Sequence, residues 1–316
     1  MAGKKDEQVC FRTMIGGQAL IEGILMRGPA KEAIVCRTAE GLVEKVEDLK
    51  LIKDRYPVLG WPLIRGVATF LDSMARGVKA LTYSAGLLPE EEQDEPSKLD
   101  RWLEDKLGSE KAQKYIMGLA VFLGLALALF LFIFLPTFLA GLIPGLSGRT
   151  ELRSLLEGIL KLVIFFAYLA LCTGMKDVKR LFSYHGAEHK TIFCYEKRLP
   201  LTVENVKVQS RFHPRCGTSF LFVVIILGIL LGFLIQLDNT LARIALRLLL
   251  LPVLVGVAYE LNRWIGRHDN AFTRALSAPG KWIQRLTTNE PEDEMIECAI
   301  RALELVVPEE KGKDAW

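Results

Sequence analysis

The sequence predicts a mainly α protein: a four-span α-helical membrane bundle, with a small α+β region before it and a helix after it. Three observations carry this. Four runs, Ile116 to Leu135, Leu155 to Gly174, Ser219 to Leu237 and about Leu241 to Leu261, each approach the roughly 20 apolar residues that cross about 30 Å of hydrocarbon. Lys and Arg gather on one side of these runs. The residues before Tyr115 read as soluble protein, with short alternating stretches and one amphipathic helical pattern.

The chain has 316 residues, 51% of them hydrophobic, and the apolar ones concentrate after Tyr115. A net charge of +3, with mixed Lys/Glu stretches such as Glu44 to Lys53, excludes the basic stripe of a nucleic-acid binder. The six cysteines, Cys10, Cys36, Cys172, Cys194, Cys216 and Cys298, include no CxxC pair, so no disulfide framework is implied. No apolar core follows the charged N-terminal residues, and a cleavable signal peptide is not expected.

In the spans, Lys161 lies within the second run, and Arg243 and Arg247 lie near the start of the fourth. Pro136, Pro144 and Gly145 punctuate an expected short apolar turn from Thr137 to Leu146. The segment between spans two and three carries nine Lys and Arg from Lys176 to Arg215, and the segment after span four is also basic. The opposite side offers Arg149 and Arg153. The positive-inside rule therefore expects a protein of the cell membrane, embedded in the lipid bilayer, with both termini and the middle loop cytoplasmic.

The expected organisation is a cytoplasmic α+β region over 1–88, a linker and lead-in helix over 89–115, and a transmembrane region over 116–262 with a cytoplasmic loop, 175–218. A cytoplasmic tail with a helix follows over 263–316. Four glycines between Thr13 and Pro29 argue for turns or close backbone approach. Ala33 to Arg37 and Leu42 to Val46 read as a hairpin around Thr38 to Gly41. After Pro62, Leu63, Val67, Phe70, Met74 and Val78 recur at helical spacing, on a face suited to the hairpin or to the membrane. Pro89 to Asp100 is acidic and proline-bounded and reads as a mobile linker, followed by an amphipathic helix from Ser97 to Gln113. In the tail, Pro291 and the acids after it suit a helix N-terminus.

Two of the four histidines lie in Tyr184-His185-Gly186-Ala187-Glu188-His189-Lys190. Positions four apart share a helix face, so His185 and His189 can present two imidazoles to one ion. Glu188 beside them completes the H-x-x-E-H arrangement of inverse zinc peptidases. The third stands in His213-Pro214-Arg215-Cys216-Gly217-Thr218 before span three. If spans two and three are antiparallel neighbours, His185, His189, His213 and Cys216 meet as ligands of the mixed N/S kind that zinc takes, other divalent metals being possible. Glu188 is then the candidate general base, and Arg215 the candidate stabiliser of developing negative charge. Glu260, at the inner end of span four, is either a further ligand or the ion-pair partner of Arg263 or Arg215. Cys194 reads as packed. Interfacial histidines also serve simply as hydrogen-bonding groups, and a closed metal site would only staple two helices.

Gly-Gly-Gln-Ala-Leu-Ile-Glu-Gly-Ile-Leu-Met-Arg-Gly-Pro near the start, His-Gly-Ala-Glu-His-Lys, His-Pro-Arg-Cys-Gly-Thr-Ser-Phe, Tyr-Glu-Leu-Asn-Arg and Thr-Thr-Asn-Glu-Pro together resemble the YqhQ family of bacterial membrane proteins. The resemblance runs over about residues 13 to 305. That family is of unknown function and is described as predicted metal-dependent enzymes. The resemblance implies that the glycine-rich N-terminal segment belongs with the membrane part.

Two functions remain open on the sequence. One is a zinc-type hydrolase of a peptide, ester or amide, with a cytoplasm-facing His/Cys/Glu site. The other is a non-enzymatic membrane regulator or scaffold that docks a cytoplasmic protein partner, with a structural metal or none. No nucleic-acid partner is expected.

Overall fold

The computed structural model describes residues 11–50, 56–89, 106, 109–145, 148–268, 270–310 and 312–315. The expected linker over 90–100 and the first part of the expected lead-in helix, 97–105, lie outside them. Among the described residues, four helices are long and apolar enough to cross a membrane: Tyr115–Gly141, Thr150–Gly174, Gly217–Leu234 and Thr240–Arg267. They coincide with the four expected runs, and the chain is a multi-pass membrane protein.

The first span is continuous where a break was expected. Helix α1 (Ile64–Ala85) precedes it, and the span itself comprises α2 (Ser109–Leu129), a π-helical turn (Phe130–Phe134) and α3 (Leu135–Gly141). A proline clashes with the carbonyl four residues before it, and the wider π turn relieves that clash at Pro136. The helix therefore runs through Pro136 and ends at Gly141, within the stretch from Thr137 to Leu146 that was expected as a turn.

The chain divides into two compact units. One comprises Leu88–Tyr168 and Ile225–Leu251, the other Met1–Leu87, Leu169–Val224 and Pro252–Trp316. The first unit is organised around charge. In α4 (Thr150–Gly174) the carboxylate of Glu157 accepts from Arg153 at 3.2 Å, and from Arg243 and Arg247, which lie on the helix Thr240–Arg267. The guanidiniums use their other N–H groups on the Asp238 carbonyl and Thr240 hydroxyl, both at 2.7 Å, and on the hydroxyls of Ser154 and Thr137. A buried charge in hydrocarbon must be paired in this way.

The second unit holds a four-stranded antiparallel meander: β1 (Gly16–Leu20), β2 (Gly23–Arg27), β3 (Lys31–Thr38) and β4 (Gly41–Asp48), in that order. The expected hairpin is β3–β4, with Thr38 paired to Gly41. Thr13 to Pro29, expected to hold turns or close backbone approaches, forms the two strands β1 and β2, and close approach is the alternative found. Gly17, Gly23 and Gly28 sit where backbone approaches backbone, and a Cβ at Gly28 would lie 2.3 Å from the Val306 carbonyl oxygen.

One face of this sheet, with Ile24, Met26, Ala33 and Val35, packs on α5 (Lys176–Glu196) and on a C-terminal helix carrying Met295, Ile296, Ala299 and Leu303. Each fully buried aliphatic side chain contributes about 1.5–3 kcal/mol. Leu20 and Leu25 meet Ala80 of α1 on the other face. Of the apolar stripe expected to face the hairpin or the membrane, Leu63, Phe70 and Met74 are exposed, and α1 buries Gly66, Gly77, Ala80 and Ser84 instead. Small residues let α1 approach closely, as at Gly66, where a Cβ would lie 2.7 Å from Tyr259.

After α5 come α6 (Val203–Lys207), α7 (Gly217–Leu234), α8 (Thr240–Arg267), α9 (Ala271–Thr287) and α10 (Asp293–Glu304). The expected tail helix is α10, which starts two residues beyond Pro291 with Asp293 and Glu294 in its first turn. Helix α9 was not expected. It opens on a capping box between Asn270 and Thr273 and carries Pro279 and Gly280 in its interior.

Candidate metal centre

Helix α5 places His185, Glu188 and His189 on one face, with the two imidazole centroids 4.3 Å apart. Cys216 stands immediately before α7, and its carbonyl accepts the Ser219 N–H at 3.0 Å. Its Sγ accepts the Thr218 N–H at 3.5 Å and lies 3.2 Å from the Thr218 hydroxyl. A helix N-terminus of this kind favours a thiolate. Ligand atoms of His185, His189 and Cys216 all lie within 4.8 Å of one another.

The outer contacts orient both rings alike. His185 Nδ1 donates to the Thr287 carbonyl at 2.8 Å, and His189 Nδ1 donates to the Arg211 carbonyl at 2.6 Å. Nε2 of each ring is thereby turned inward, that of His185 lying 3.1 Å from Cys216 Sγ. Metal-ligating histidines are oriented by such contacts. Gly186 lets α5 approach the 287–289 segment, since a Cβ there would lie 2.0 Å from the Asn289 carbonyl oxygen.

Glu188 is buried; its Oε1 accepts the Gly17 N–H at 3.0 Å. Its Oε2 and His189 Nε2 are buried with no hydrogen-bond partner among the described residues. Leaving such atoms unpaired costs about 1–3 kcal/mol each, and a cation between them removes that cost. Two imidazole nitrogens, a thiolate and an adjacent carboxylate are a borderline-soft donor set, and they fit an ion of the zinc type.

Electrostatics supports the thiolate. Burial opposes ionisation of Cys216, but His185 and His189 overcome it and hold the thiol well below its usual range. Burial likewise works against charge on His185, and the neighbouring Cys216 prevails, raising it to about 9. Burial pushes Glu188 above the usual carboxylate range, against the pull of the two imidazoles.

His213 is brought beside this group, its ring 5.6 Å from that of His189, and is tied into a second one. Its Nε2 lies 3.7 Å from a Glu196 carboxylate oxygen and 3.3 Å from the Arg215 guanidinium, which itself pairs with Glu196. Burial pushes His213 down to about 4, opposed by Glu196 and helped by Arg215. Glu196 also accepts the Thr13 N–H at 2.8 Å. Glu260 is not drawn to the histidines. It pairs with Arg65, whose Nε is 2.6 Å away, and not with Arg263 or Arg215 as expected, because α1 returns to the end of α8. Cys194 is buried in the core between sheet and helices, as expected.

Three residues that shape the site escape sequence reasoning. Gly17 holds Glu188, Glu196 ties down His213 and Arg215, and Gln284 clamps the His213 backbone, accepting its N–H and donating to its carbonyl, both at 2.7 Å. Only chain-distant packing brings them in. A cavity of about 420 Å³ opens onto Glu188, His185, His189 and Cys216, walled by β1 and by Leu81, Leu181 and Phe182.

Residues 61–309 match the family described as "Protein of unknown function (DUF1385)". The chain is 34% identical over 303 residues to the uncharacterized protein YqhQ of Bacillus subtilis (strain 168), a match covering 91% of this chain and 90% of that protein. No solved structure matches the chain. With a family match that takes in the four spans and the histidine site, and a relative aligned over nine-tenths of its length, the chain belongs to the YqhQ family, whose function is unknown.

Proposed function

We propose that this membrane protein is a metal-dependent hydrolase of the zinc type, with His185, His189 and Cys216 holding the ion and Glu188 moving the proton. The observation that carries the reading is the convergence of three ligand atoms within 4.8 Å, two of them on rings anchored through Nδ1 to backbone carbonyls. A zinc ion at such a site polarises a carbonyl and makes hydroxide available near neutral pH. Glu188 is held through Oε1 by Gly17, and Oε2 takes the proton of the attacking water. As the acyl bond to nitrogen or oxygen breaks, Oε2 returns that proton to the leaving group, so the substrate gains one water in total. His213 and Arg215, tied to Glu196, form the wall beside His189. The nine Lys and Arg between spans two and three, in α5 and after it, favour a cytoplasmic location for the site.

The test is metal content of the full chain purified in detergent. Wild type is expected to hold about one zinc per chain. His189→Ala and Cys216→Ser should lose about tenfold or more in zinc affinity. Glu188→Gln should retain both zinc and thermal stability. Wild-type protein without stoichiometric metal ends the reading. If His189→Ala loses metal and fold together while Glu188→Gln leaves cellular function intact, a structural metal in a scaffold is the better account.

A further inference from the structure

We infer that the substrate of this site is a peptide segment in extended conformation, bound as an added strand on the open edge of β1. The inference rests on the hydrolase reading and adds the class of substrate to it. β1 is an edge strand of the meander. Leu20 and Gly23 flank the two-residue turn to β2 and pair with each other, so Leu20, Gln18 and Gly16 aim their backbone groups at β2. Gly17 and Ala19 must then aim theirs the other way. The Gly17 N–H does so, toward Glu188 at 3.0 Å.

The Gly17 carbonyl and both backbone groups of Ala19 have no hydrogen-bond partner among the described residues. These are the groups that an incoming strand takes. Gly17 and Ala19 line the same cavity as Glu188, His185, His189 and Cys216. A strand registered on Ala19 runs directly past the candidate base and ligands. Because Glu188 already occupies the Gly17 N–H, base and substrate share one short stretch of β1 and their relative position is fixed by it. Leu81, Leu181 and Phe182 give the cavity an apolar wall that suits apolar side chains of the strand, and His213, Arg215 and Thr218 give it a polar one. An edge of alternating N–H and C=O groups selects successive backbone amides. A simple ester or a lone amide cannot occupy it.

Calorimetry on the full-length, zinc-loaded protein in detergent tests this with three probes. They are acetohydroxamate, an acetylated Leu-Val-Leu hydroxamate, and the same peptide hydroxamate N-methylated at each internal amide in turn. The peptide hydroxamate is expected to bind about a hundredfold more tightly than acetohydroxamate. At least one N-methylation should cost about tenfold. Ala19→Pro removes one edge N–H at a position where edge strands tolerate proline. It should leave zinc and acetohydroxamate binding unchanged and weaken peptide binding by a similar factor. Should that variant not fold, the N-methylated peptides read the same bond on unaltered protein. If acetohydroxamate binds but neither peptide extension nor N-methylation changes affinity, the edge assignment is wrong and the metal centre stands. Absence of both zinc and hydroxamate binding overturns the two together.

Discussion

At the scale of residues, His185 and His189 owe their orientation to backbone carbonyls on two different segments, 287 and 211. The spacing His-x-x-Glu-His announces the pair, because helical periodicity is local. The carbonyls that aim the rings belong to residues about a hundred and about twenty positions away, and no pattern announces them. Gly186 makes the first of these approaches possible. Gly186→Val should therefore lower stability by about 1–3 kcal/mol or more, since the Asn289 carbonyl is backbone and cannot swing aside. The same variant should weaken zinc binding by displacing the Thr287 carbonyl. Thermal unfolding followed by metal analysis checks both. A variant with wild-type melting and wild-type zinc would contradict this account of the contact.

Among elements, the membrane helices and the β3–β4 hairpin were legible, since hydropathy and alternation are properties of contiguous sequence. β1 and β2 were not; the glycines suggested turns or close approach without showing strands, and Gly17, Gly23 and Gly28 serve close approach of neighbouring backbone. Helix α9 was not expected; it carries Pro279 and Gly280 in its interior, residue types that disfavour a helix, and in the fold Gly280 is the point where α9 meets Ser219. The partner of Glu260 was misjudged for a related reason, as Arg65 is remote in sequence.

Two predictions belong at this scale. Glu157 is the carboxylate shared by Arg153, Arg243 and Arg247, so Glu157→Gln leaves three buried guanidiniums without a counter-charge. The expected loss is about 3–5 kcal/mol, read by unfolding in detergent; a change below measurement error would mean that the cluster is neutralised in another way. On β3 and α10, burial raises the Cys36 and Cys298 thiols to about 12, from an ordinary value of 9.0. Above pH 9 the unfolded chain loses these protons while the folded chain retains them. Stability from this pair is thus complete below about pH 9 and declines as pH rises from there toward 12. Denaturant midpoints at about pH 8 and about pH 10.5 should show the decline, and Cys298→Ala should lessen it. An unchanged alkaline decline in that variant would assign the effect to other groups.

For the whole molecule, the sheet's core is completed by α5 and α10, which enter from the middle and the end of the chain. A polypeptide of residues 1–88 alone should therefore lack a stable fold, with collapsed amide dispersion in its NMR spectrum, even though it contains every described strand. Well-dispersed resonances from that fragment would refute the shared core. By itself the sequence determined the membrane spans, their number, and the clustering of His185, Glu188 and His189, because each depends on composition or period within one segment. Tertiary structure alone decided that the two ends of the chain and its middle loop form one unit. It also decided that, of the four residues expected to meet, His213 turns to Glu196, and that β1 lies as an edge strand beside the others. Those outcomes depend on which distant surfaces fit together, and neither hydropathy nor spacing along one strand or helix encodes that.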